Sequence, residues 1–199
     1  ILGNSLRLRE RGFNLDGSGY AEVADDTTLK LTEGFSVCFW TKLTPEASGI
    51  HQTCVAKGLG VGSGTNNALA ISMYADKFYF DLNTSVKRFV VNTTAQTMDG
   101  RWVYVAATYT KAEKLRLYVD DNNVITDSED VTGAIYEDYN VTVGANVNFD
   151  YKLLSQIDEV TWYDRPLTQK EITNNRKVGL KNHQVGSAFS TEFSSEFGF

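Results

Sequence analysis

"GRWVYVAATYTKAEKLRLYVDD", residues 100 to 121, contains two successive runs with a period of two. In the first, Val103, Val105, Ala107 and Tyr109 fall on one side and Trp102, Tyr104, Ala106 and Thr108 on the other. Side chains of a strand alternate between its faces, so this strand has apolar residues on both and is expected to be buried on both. In "KLRLYVDD", Leu115, Leu117 and Val119 point one way, and Arg116, Tyr118 and Asp120 the other. That is the pattern of a half-buried antiparallel strand.

Working outward, "GYAEVA", "FSVCFWTKL", "TCVAKG", "ALAISMYA", "KFYFDLN", "RFVVNTT", "NVTVGA" and "IDEVTWY" read as further short strands. Turn chemistry separates them: "DGSG" at Asp16, "LGVGSGTNN" from Leu59, "DG" at Asp99 and "DDNN" at Asp120 supply residues that tolerate positive φ. The two prolines, Pro45 and Pro166, fall outside every predicted strand. Many short strands at this spacing predict an all-β sandwich or barrel. One helix of about ten residues follows the last strand. Thr168 and Glu171 form a capping box, Leu167 and Ile172 a hydrophobic staple, and Gly179 a C-terminal stop. It is expected to lid one edge of the sandwich.

With 199 residues, of which 42% are hydrophobic, the chain can build one domain with a substantial core. The net charge is −6 with no run of like charge, which argues against a nucleic-acid partner. No apolar stretch approaches the roughly 18 residues that a membrane span needs, so membrane insertion is not expected. Cys38 and Cys54 read as buried free thiols, with a cross-strand disulfide as the alternative. Sequons at Asn83, Asn92 and Asn140 are no more frequent than this composition produces by chance.

The ends differ from the middle. Residues 1–12 read as an N-terminal arm, residues 13–180 as the folded domain, and residues 181–199 as a tail carrying Phe189, Phe193, Phe197 and Phe199. Four aromatics in a Ser/Gly-rich tail are expected to dock, either on the domain itself or on a neighbouring subunit.

Five segments in order, "FNLDGSGYAEVADDTTLKLTEGFSVCFWTKL", "VAKG", "GRWVYVAATYTKAEKLRLYVDD", "VTVGAN" and "IDEVTWYDRPLTQKEI", resemble the laminin-G-like branch of the concanavalin A-like jelly-roll superfamily. The resemblance implies two stacked antiparallel sheets in a jelly-roll sandwich, with Trp40 and Trp102 as core aromatics. It also implies a calcium ion linking Asp16, in the first "DG" turn, to Asp158, in the late "IDE". A departure is Ser155 where the family has a glycine; another is "VDDN" where it has "VDG".

The adjacent acids Asp158 and Glu159 invite comparison with a catalytic dyad. Strict alternation would put them on opposite faces, where they could not flank one scissile bond. No Glu-x-Asp-x-Glu run of the glucanase type and no supported Gly-x-Ser-x-Gly elbow occurs, so no enzyme is expected. The expected function is non-catalytic recognition or adhesion, with a glycan or surface protein as partner and Tyr74, Tyr79, Tyr136, Tyr139 and Trp162 as stacking platforms to be weighed against core or surface roles. The alternative is a structural subunit, such as a virion decoration or fibre protein or part of an extracellular assembly, whose arms lock into other subunits. Either function implies an extracellular, cell-surface or virion-surface location.

Overall fold

The structure, a computed structural model, describes residues 5–7, 13–58, 67–120, 123–126, 129–136, 138–148 and 150–183. Its strands are β1 (Ser5–Arg7), β2 (Phe13–Asp16), β3 (Ala21–Val23), β4 (Gly34–Lys42), β5 (Gln52–Gly58), β6 (Asn67–Tyr74) and β7 (Lys77–Asn83). They continue with β8 (Arg88–Asn92), β9 (Trp102–Thr110), β10 (Arg116–Val119), β11 (Asn123–Thr126), β12 (Val141–Val143) and β13 (Leu154–Tyr163). One α-helix, α1 (Gln169–His183), follows.

Two antiparallel sheets form. The first runs β1-β13-β4-β9-β10-β11 with β2 also paired to β13; the second runs β3-β12-β5-β6-β7-β8. Their facing surfaces make one core, in which Phe35 is central: its ring lies 6.0 Å from Phe80, 5.8 Å from Tyr109 and 5.7 Å from Trp162. Leu69, Ile71, Val103, Val105 and Leu117 fill the space around it and are fully buried. Each such side chain contributes about 1.5–3 kcal/mol, so this layer holds the sheets together. The two-sheet sandwich matches the expected fold class.

The residues of β9 divide as their alternation predicts. Val103, Val105, Ala107 and Tyr109 enter the inter-sheet core, whereas Tyr104 and Ala106 join a second apolar cluster with Cys38, Trp40, Tyr118, Leu167 and Ile172. That cluster lies on the outer face of the first sheet, beneath α1. Several sequence expectations change accordingly. The helix covers a sheet face rather than one edge. Trp40 is buried there and Trp102 half-buried against it, so neither belongs to the inter-sheet core; Trp162, weighed above as a platform, does.

The start of α1 follows the capping prediction. Thr168 N donates to Glu171 Oε2 at 2.8 Å, and Glu171 N to Thr168 Oγ1 at 3.3 Å. Arg165 and these Thr168 contacts hold the Glu171 carboxyl down at about 2. Its end differs, because the helix passes through Gly179 and takes in residues 181–183 of the expected tail. A Cβ on Gly179 would lie 2.3 Å from Trp40 Nε1, so this glycine lets the helix approach the tryptophan and does not terminate it.

Cys38 and Cys54 are free and buried, as expected, but they sit in opposite sheets and in separate apolar clusters. Burial pushes both thiols up to about 12. Part of the expected N-terminal arm is β1, which pairs with β13 of its own chain. Phe189, Phe193, Phe197 and Phe199 lie outside the described residues.

Candidate functional site

The acid pair does not behave as alternation requires. Pairing between β13 and β4 shifts register between Asp158 and Thr161, and Glu159 takes φ +49, the left-handed region. This β-bulge inserts one residue, so the inner sequence Ile157, Val160, Trp162 skips two positions and both acids face outward beneath the end of α1. The expectation of opposite faces is therefore corrected. Asp158 Oδ2 lies 3.8 Å from His183 Nε2, and Glu159 Oε1 accepts from Asn182 Nδ2 at 3.0 Å. The His183 ring lies 4.6 Å from both Trp40 and Trp102. Burial lowers its pKa while the two acids oppose that shift. The group fastens the last turn of the helix to the sheet.

Asp16 and Asp158 do not share a site. Asp16 sits opposite Leu154, four residues from Asp158 along β13, which is about 13 Å at strand spacing. Its carboxylate accepts from Ser18 N at 3.0 Å and is held below the usual range by Ser18. Among the described residues no group of three or more His, Cys, Asp or Glu side chains is placed to hold a metal. At that separation the two carboxylates do not both reach one ion, whose oxygen ligands lie within about 2.3–2.6 Å of it.

A cleft lies instead on the outer face of the second sheet. It has a volume of about 270 Å³ and is lined by His51, Ser72, Tyr74, Tyr79 and Arg88. Outward residues here form cross-strand rows: Thr53, Ser72, Tyr79 and Asn92 in one, Ala70, Asp81 and Val90 in the next, then Asn83 and Arg88. Alternate residues such as Ile71, Phe78, Phe80 and Phe89 enter the core and fix this outward set.

Two backbone features build the aromatic rim. The β6–β7 hairpin turns through Ala75 (φ +47) and Asp76 (φ +62), both left-handed without a glycine. Asp76 anchors that turn by accepting from Gly49 N at 2.7 Å and Ser48 Oγ at 3.0 Å, which holds neighbouring Tyr74 over the cleft. Tyr151, also left-handed at φ +50, accepts from Thr53 N through its carbonyl at 2.7 Å. The His51 ring lies between the two tyrosines, 4.3 Å from Tyr151 and 5.3 Å from Tyr74. Tyr74 is 51% exposed and Tyr151 47%.

The floor is polar. Arg88 donates through Nε to Asp81 Oδ1 and its Nη2 also contacts that oxygen, while Asp81 is wholly buried. Burial raises the Asp81 carboxyl to about 6, an effect Arg88 only partly offsets. His51 Nε2, Thr53 Oγ1, Ser72 Oγ, Asp81 Oδ2 and Asn83 Nδ2 are buried without a protein hydrogen-bond partner, five of the eight such atoms among the described residues. An unmade bond at a buried polar atom costs about 1–3 kcal/mol, so these atoms are ones to which a ligand or water would be bound by hydrogen bonds. Asn83, the first sequon, is buried and pairs across the strands with Arg88.

Sequence reading singled out Tyr74 and Tyr79, which do line the cleft, but missed His51, Ser72 and Arg88, which line it too, and Tyr151, whose ring packs on His51. The alternation of "KFYFDLN", which turns Asp81 to the face of Tyr79, was the signal available.

Comparison with known proteins bears on the family. A laminin G-like family model, described as the concanavalin A-like lectin/glucanases superfamily, matches residues 15–173. The chain belongs to that superfamily. Solved structures with the superfamily's sandwich include the binding domain of botulinum neurotoxin DC in complex with SialylT, at 16% identity and TM-score 0.66 over 88% of this chain and 44% of that one. The same toxin's binding domain in complex with rat synaptotagmin II gives 16% identity and TM-score 0.64, covering 88% and 45%. The binding domain of Paraclostridial Mosquitocidal Protein 1 gives 13% and 0.61, covering 87% and 47%. At such identities the likeness is one of fold, and this chain spans less than half the length of those chains. No curated protein matches the sequence.

Proposed function

We propose that the domain is a non-catalytic recognition module that binds a glycan through the cleft on its second sheet. The observation that carries this reading is the pairing of exposed Tyr74 and Tyr151, whose rings pack on His51, with Ser72 and His51 lining the cleft and their Oγ and Nε2 without a protein partner. Aromatic faces stack on the apolar side of a sugar ring while fixed polar groups select its hydroxyls. A cleft near 270 Å³ falls just below the roughly 300–1,000 Å³ of pockets for drug-sized ligands and suits one ring. The complexes of the botulinum neurotoxin DC binding domain with SialylT and with rat synaptotagmin II support a binding role, extending to a surface protein as partner, outside the cell.

The assembly reading has less support, since residues 5–7 pair within their own chain. Glycan-array binding by the full chain, repeated with Tyr74→Ala and Tyr151→Ala, tests the proposal. Loss of about five- to tenfold in each variant is expected, as for a stacking contact of about 1–1.5 kcal/mol. Undiminished binding in both variants would remove the cleft from the reading.

A further inference from the structure

We infer that the cleft takes a neutral sugar ring, its hydroxyls meeting Ser72 Oγ, His51 Nε2 and the Arg88 guanidinium, with Asp81 as the residue that positions and neutralises Arg88. This rests on the glycan reading above and narrows it to a ligand class.

The charge balance of the floor makes the selection. Arg88 is the cation lining the cleft, and the carboxylate it contacts is wholly buried Asp81. Two of its nitrogens, Nε and Nη2, are directed to that carboxylate, leaving Nη1 without a protein partner among the described residues. An acidic sugar would have to compete with Asp81 for the guanidinium, and it would approach a chain of net charge −6. His51 adds no cation at neutral pH, because burial, and then Arg88, lower its pKa. A carboxylate ligand can only accept hydrogen bonds, whereas Ser72 Oγ both donates and accepts and His51 Nε2 in the neutral ring does one or the other according to tautomer. A hydroxyl does both as well, and so matches the mixed set that the floor presents.

Asp81 is buried beneath Arg88 and does not line the cleft, so its role is indirect. Removing its charge should therefore do more than weaken binding: it should free the guanidinium to accept an anion. A purely structural role would not reverse charge preference.

The test is an array of neutral gluco-, galacto- and manno-oligosaccharides beside their uronic-acid and sialylated counterparts, probed with the labelled full chain at pH 7.5. Wild type, Asp81→Asn and Ser72→Ala are compared at low salt and at high salt, with circular dichroism confirming folding. Wild type should bind a neutral oligosaccharide with little salt dependence and its acidic counterpart about tenfold more weakly. Ser72→Ala should lower neutral binding about fivefold or more, as the loss of a buried hydrogen bond does. Asp81→Asn should lose neutral binding and gain acidic binding that salt abolishes. Preference of wild type for acidic glycans, with strong salt dependence, would overturn the neutral class while leaving the glycan reading intact. Unchanged charge preference in a folded Asp81→Asn would overturn the role given to Asp81. Failure of wild type to bind any glycan would overturn both readings.

Discussion

Gly179→Ala separates a packing role from a terminating one. In the middle of an exposed helix this change stabilises by about 1 kcal/mol, because alanine loses less backbone freedom on folding. Here the added Cβ would sit 2.3 Å from Trp40 Nε1, 2.9 Å from Trp40 Cε2 and 2.9 Å from Glu159 Oε2. Trp40 is 1% exposed and held in β4, so it cannot swing away; the helix must lift instead. Overpacking of this kind costs about 1–3 kcal/mol, and lifting α1 also loosens its contacts with the cluster of Cys38, Tyr104 and Tyr118. The clash outweighs the propensity gain, and a net loss of about 1–2 kcal/mol is expected. For a chain of this size that lowers Tm by about 2–8 °C, readable by calorimetry or circular dichroism. Gly179→Asn is the discriminating control. Asparagine is tolerated at a left-handed helix stop, so a terminating glycine would accept it better than alanine. Close packing predicts that asparagine costs at least as much as alanine. A harmless Gly179→Asn, or a Gly179→Ala more stable than wild type, would refute the reasoning.

Lys57 is completely buried; its Nζ pairs with Asp25 and donates to Tyr139 O at 2.7 Å. Asp25→Ala removes its carboxylate and should cost about 3–5 kcal/mol in urea unfolding, whereas adding Lys57→Met should recover most of that. A loss below about 1 kcal/mol for the single variant would contradict the pairing. For Asp81, burial raises the folded pKa from 3.8 to about 6, so the native state prefers the protonated acid. The resulting penalty is absent below about pH 4, grows through the interval, and is complete above about pH 6. Asp81→Asn removes it, and the stability difference should move in the variant's favour by about 3 kcal/mol between pH 4 and pH 8. A difference that does not change with pH would show that Asp81 titrates normally.

The sequence by itself determined the two-sheet sandwich: its short strands called for a sandwich or barrel, and the family resemblance chose the sandwich. The alternation in "GRWVYVAATYT" assigned Val105 to one apolar cluster and Tyr104 to another, and both assignments hold because strand alternation is a local property of the backbone. Thr168 and Glu171 marked the helix start for the same reason: a capping box is complete within four residues. The family too was legible, since five ordered segments carry it.

What local pattern could not carry was decided by contacts between distant segments. The bulge after Asp158 turned Glu159 outward because β13 must pair with β4 while its neighbours serve the core. Gly179 stayed helical because Trp40, far away in sequence, left room for no side chain there. The cleft assembled His51, Ser72, Tyr79 and Arg88 from four separate stretches, with Tyr151 packed on His51, positioned by cross-strand register and by left-handed backbone at Ala75, Asp76 and Tyr151. Alternation names the residues that share one strand's face, but only the folded sheets decide which strands lie side by side and which polar atoms are left without partners.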